Sequence, residues 1–164
     1  MKLIFPLSIL ALLIAITACS SDKQTETEAA TDLKTVLLGT WQTTQINVAI
    51  NSADGLDTFR SEYLTQEIWE KDFNMQPPIF YFQPDQQFRT IHKNLAGQIV
   101  NESHGIWNAF GDTLMLIEPE VTYQYIVKSG EGKAAFRTFL DWDGDGEADD
   151  EYQSLQRQIS IGTK

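Results

Sequence analysis

The sequence predicts an all-β protein: an eight-stranded antiparallel up-and-down barrel with one helix between its first and second strands. Three observations predict it. From Val36 onward the apolar residues recur with a period of two, most clearly at Val121, Tyr123, Tyr125 and Val127, and again at Ala134, Phe136, Leu140 and Trp142. The runs are separated by short turn chemistry such as Pro84-Asp85 and Gly111-Asp112. Eight such runs in one small domain favour closure, which removes the exposed strand edges that invite aggregation.

The chain has 164 residues, enough for one domain, and its N-terminus is a segment apart. Met1-Lys2 gives a positive start, an apolar run follows to Ile16, and small residues lead to Cys19. Residues 1–18 thus read as a secretory signal, too short and too soon polar for a membrane span. The stretch Ile16-Thr17-Ala18-Cys19 resembles the lipobox of bacterial lipoproteins, with the chain's one cysteine at the required position. The resemblance implies cleavage before Cys19, acylation of its sulfur and amine (palmitate-type chains), and a membrane partner through that anchor. Ser20 stands where an Asp would resemble the inner-membrane retention signal, so the expected place is the cell envelope, at the outer membrane. Cys19 and the polar residues up to 35 read as a lipidated, flexible tether.

The barrel domain is expected over residues 36–164. Its strands are expected at 40–50, 79–82, 86–93, 98–110, 113–118, 121–129, 133–142 and 152–161. Residues 58–75 are expected to be the helix: they lack Gly and Pro, pair Glu67 with Lys71 at i,i+4, and stop at Pro77-Pro78. Along the first strand Trp41 has opposite parity to Ile46, Val48 and Ile50, so either a bulge intervenes or only one set faces inward.

Leu38-Gly39-Thr40-Trp41 opens the first strand, and this Gly-x-Trp resembles the first signature of the lipocalin family. A second Gly-x-Trp, Gly105-Ile106-Trp107, is followed by Gly111-Asp112-Thr113-Leu114, and the pair resembles lipocalin-like lipoproteins of Bacteroidota. The resemblance implies a calycin-type barrel that binds a small apolar or amphipathic ligand. It also implies that Arg157 of the last strand, which shares parity with Leu155, Ile159 and Ile161, packs over Trp41 as a cation–π pair. Otherwise Arg157 reaches from a sheet end into water.

Composition narrows the chemistry further. With 23 acidic and 12 basic residues the net charge is −11, which argues against nucleic acid as a partner. Loss of Lys2 with the signal leaves 11 basic against 23 acidic residues, a net of −12. One cysteine permits no intrachain disulfide and no thiolate metal site. Neither a nucleophile elbow nor a phosphate loop occurs, and His92 and His104 lack metal-ligand spacing, so no catalytic residue is assigned and no enzyme expected. Tyr123, Tyr125 and Phe136 are the candidates to line a ligand cavity. The same aromatics would equally fill a small barrel, which would then act as a structural or protein-interaction lipoprotein.

The sharpest motif runs from Asp141 to Asp149, a D-x-D-x-D-G pattern. Calcium takes six to eight oxygens, and such a loop supplies them from alternate positions. Asp141, Asp143, Asp145 and Asp149 are the expected carboxylate ligands, with the Glu147 carbonyl completing the set and calcium in a structural role. Tyr152 stands where a helix–loop–helix site has its bidentate Glu; the spacing resembles the calcium loops that close β-hairpins in integrin-type propellers. The bland alternative is a solvated acidic turn. Seven carboxylates within residues 141–151 would repel one another without a counter-ion.

Overall fold

The computed structural model describes residues 32–52, 56 and 58–161. Cys19, the signal segment and most of the expected tether lie outside them. The elements are α1 Leu33–Leu37, β1 Gly39–Ile50, β2 Arg60–Thr65, α2 Gln66–Asp72, β3 Ile79–Phe82, β4 Gln87–Lys93, β5 Ile99–Phe110, β6 Thr113–Ile117, β7 Thr122–Gly130, β8 Lys133–Leu140 and β9 Asp150–Ser160. Neither helix is long and apolar enough to cross a membrane.

The strands follow one another antiparallel, and β1 pairs with β9 to close the barrel. On its other side β1 has two partners in succession. Residues 39–42 pair with β3 and residues 45–50 with β2, which is therefore an extra strand added to an eight-stranded closure. The expected helix at 58–75 is thus correct only for its middle. Its first part, Arg60–Thr65, is strand, because the second half of β1 needs a ladder partner. There Leu64 faces Ile46 across the pair, and Tyr63 Oη donates to Gln45 Oε1 at 2.8 Å.

A second departure concerns the tether. Residues 33–35 belong to α1, whose N-cap Asp32 accepts from the Lys34 N–H at 3.3 Å. Leu33 and Leu37, one helical turn apart, bury themselves under the barrel. This plug closes the end from which β1 starts.

The parity conflict along β1 resolves as a bulge. Thr43 pairs with Gln156 and Gln45 with Leu155, so Thr44 is an extra residue, its Oγ1 donating to the Leu155 carbonyl at 3.1 Å. Trp41 and Thr43 before the bulge, and Ile46, Val48 and Ile50 after it, all point inward and are buried. The interior accordingly has two parts. At the closed end Trp41, Phe82, Phe88, Trp107 and Phe136 pack with Leu33 and Leu37. Toward the other end Ile46, Val48, Ile50 and Leu64 pack against Trp69 of α2, Trp142 and Tyr152.

Candidate functional site

The two Gly-x-Trp motifs build matching pieces of wall. Trp41 and Trp107 are fully buried. The Trp41 indole N–H donates to the Leu37 carbonyl at 2.8 Å, and that of Trp107 to the Gln83 carbonyl at 3.1 Å. Each glycine admits a neighbouring strand. A Cβ on Gly39 would lie 2.2 Å from the Ser160 carbonyl oxygen, and one on Gly105 would lie 2.1 Å from that of Ile117 and 2.9 Å from the Phe88 ring. Gly39 also has φ +116, a conformation other residues resist.

Arg157 does not cover Trp41. It is exposed, and its guanidinium donates to Gln42 Oε1 at 3.2 Å on the outer face. The inward set of β9 is the other one, Asp150, Tyr152, Ser154 and Gln156. There Gln156 Oε1 accepts from Thr43 Oγ1 at 3.1 Å, and Gln156 Nε2 donates to Ser154 Oγ at 3.0 Å. Because these polar groups satisfy one another, the strand can bury its polar side and leave Leu155 and Arg157 outside. Parity alone, read by apolar content, picks the wrong face.

The three expected cavity residues do come together. Phe136 is buried in the core, with Tyr125 at 5.9 Å, Phe80 at 6.2 Å and Phe82 at 6.5 Å between ring centroids. Tyr125 continues upward to Tyr152 at 6.3 Å, and Tyr152 to Trp142 at 6.0 Å. Tyr123 stacks on Tyr125 at 6.4 Å but is 36% exposed, at the mouth. Burial pushes the Tyr125 phenol well above its ordinary range, with Tyr152, Tyr123 and Glu118 adding to the effect.

The acidic loop joins β8 to β9 at the end away from the α1 plug. Its turns are made by its own carboxylates. Asp141 accepts from the N–H of Gly144 at 2.7 Å and of Gly146 at 3.1 Å, and Asp145 from that of Glu147 at 2.8 Å. Carboxylate oxygens of Asp141, Asp143 and Asp150 converge to within 4.8 Å of one another. The carboxylates of Asp145 and Asp149 are not part of that convergence, and Asp150 enters where the linear motif had not placed it. Asp150 is wholly buried and accepts from Trp142 N at 2.7 Å, Asp143 N at 3.4 Å and Asn51 N at 3.0 Å. It therefore ties the loop to the end of β1. Asp149 keeps a buried Oδ1 without a hydrogen-bond partner. Desolvation and the carboxylates of Asp150, Asp145 and Asp143 raise its carboxyl above the usual range, against the lowering effect of a backbone hydrogen bond. The donors are all oxygen, which suits a hard cation such as calcium, with loop carbonyls and water making up the coordination number.

The histidines stay apart. His104 pairs across from Arg89 and His92 from Asn101, three register positions away. Burial lowers the pKa of His92.

The residues that sequence reasoning missed are Leu37, Asp150 and Asn51. Leu37 gave a usable signal, an apolar i,i+4 pair with Leu33 directly after a capping Asp32. Neither the protein-family models nor the curated proteins contain a match to this chain.

Proposed function

We propose that this protein is a lipid-anchored envelope lipoprotein whose lipocalin-like barrel is a filled scaffold. It works through its exterior, with calcium stabilising the β8–β9 loop. The observation that carries the reading is the ring set around buried Phe136: three aromatic neighbours pack against it in the core, with centroids within 6.5 Å. A small barrel packed in this way has a core rather than a pocket. The reading is non-enzymatic. The lipobox-like stretch ending at Cys19 supports the anchor, and Ser20 after it supports the outer membrane.

A second reading, a small apolar ligand, is favoured by one feature, the half-exposed Tyr123 stacked above Tyr125 at the mouth. Native mass spectrometry of protein purified from its own envelope separates the two. A filled scaffold should carry calcium and acyl chains only; a stoichiometric apolar guest would support the ligand reading. Membrane fractionation of Cys19→Ala tests the anchor, and the protein should leave the membrane fraction.

A further inference from the structure

The outer face beneath the Thr44 bulge carries an open groove of about 460 Å³. Ala135 and Leu155 form its apolar floor, and Lys128, Lys133 and Arg157 stand around it. The strand register explains the grouping. Lys133 pairs with Arg157 across β8–β9, and Lys128 pairs with Ala135 across β7–β8. All three cations point outward and are exposed. Among the described residues no carboxylate lies within 4.0 Å of any of them, whereas Arg60, Arg89 and Arg137 each have one. In a chain of net charge −11 three basic residues thus share one face, while Glu151, which pairs with Arg137, lines a second depression beside Lys128. Glu131, in the adjacent turn, is the acidic residue nearest in sequence to Lys133.

The groove lies at the end where the chain enters the barrel. Gln158 Nε2 donates to the Leu38 carbonyl at 3.0 Å, and its backbone N–H donates to the Gly132 carbonyl at 2.8 Å. Arg157 and Lys133 are each the next residue along from those contacts. Ile159 and Ile161, also exposed, follow Arg157 on the same edge. The acidic loop is at the opposite end of β8 and β9, so the outer surface is polarised along the barrel.

We propose that this groove docks against the anionic headgroups of the membrane that holds the lipid anchor, turning the closed end toward the bilayer and the acidic loop away from it. The inference rests on the anchor reading at Cys19. Asp32 lies thirteen positions beyond Cys19, a stretch that drawn straight spans at most about 45 Å, so the anchor alone leaves any face free to approach. Cations near an anionic surface are attracted to it, and the anchor supplies the local concentration that three charges need. The apolar floor and the two isoleucines can enter the interface while the cations meet phosphates.

The test uses the lipidated chain in phosphatidylcholine vesicles with and without phosphatidylglycerol. A spin label at Ser129→Cys reports the groove, and one at Ala148→Cys reports the acidic loop. With phosphatidylglycerol present, the Ser129 label should lose collisions with a water-soluble relaxant while the Ala148 label keeps them. Each cation replaced, in Lys128→Glu, Lys133→Glu or Arg157→Glu, should weaken the docked state by about fivefold or more, and high salt should abolish it. Equal accessibility in both vesicle types, or an unchanged profile in the triple variant, would overturn the docking. Failure of the protein to enter either vesicle would instead overturn the anchor, and the docking with it.

Discussion

The indole of Trp41 is tied to the carbonyl of Leu37, at 2.8 Å, so the first helix and the first strand lock each other. The ring is completely buried beneath the α1 plug, and its one polar atom is satisfied there. Trp41→Ala should therefore destabilise the fold by about 3–5 kcal/mol, from lost burial plus a cavity. Trp41→Phe, which loses chiefly the hydrogen bond and part of the ring, should cost about 1–2 kcal/mol. Urea denaturation of both variants checks the order; equal losses would show that the hydrogen bond to Leu37 contributes nothing.

Asp150 should matter more to stability than any other carboxylate of its loop. Asp150→Ala leaves the part-buried N–H groups of Trp142 and Asn51 without their acceptor. The expected loss is about 2–5 kcal/mol. Asp145, exposed and bonded only within its own turn, should tolerate Ala with far less effect on the melting temperature.

Calcium should raise the melting temperature of the parent by a few degrees. A weak extracellular-type site, saturated at millimolar calcium, adds about 1–3 kcal/mol by mass action. Asp141 belongs to the converging set and Asp145 does not. Calorimetry should accordingly find the calcium heat abolished in Asp141→Ala and largely kept in Asp145→Ala. If Asp145→Ala abolishes it as well, the ligands are those of the linear motif.

Gly105 is a position where only the absence of a side chain lets β5 approach β6. Its Cβ would strike the Ile117 carbonyl oxygen at 2.1 Å, so Gly105→Ala should cost at least about 2 kcal/mol through backbone displacement. Gly130 has open space around it and no positive φ, and Gly130→Ala should be nearly neutral. Thermal denaturation of the pair provides the comparison.

Stability should fall as pH rises past 10.0, the ordinary tyrosine value. Burial raises the pKa of both Tyr125 and Tyr152 in the folded barrel. Above that pH the unfolded chain releases protons that the folded one retains, so each unit of pH then favours unfolding. Below it the contribution is fully present. In Tyr125→Phe the alkaline decline should be shallower, as measured by denaturant titrations on either side of the transition.

The fold class of this protein and its strand limits were legible in the linear pattern of residues. Period-two runs bounded by Gly and Pro placed all eight expected strands close to where they lie, from Gly39–Ile50 to Asp150–Ser160. The pattern also marked Gly39, Trp41, Gly105 and Trp107, because glycine at a close approach and tryptophan in a core are local demands. What it left open depends on partners distant in the chain. Whether 60–65 is helix or strand was decided by the unpaired half of β1. Which face of β9 points inward was decided by the Thr44 bulge and by the mutual hydrogen bonds of Thr43, Gln156 and Ser154, so that Arg157 lies outside. Asp150 joins the loop carboxylates where it takes N–H groups from Trp142 and Asp143 of the loop and from Asn51 at the end of β1. Side-chain parity and carboxylate convergence are properties of paired strands, and a linear pattern carries only one strand of each pair.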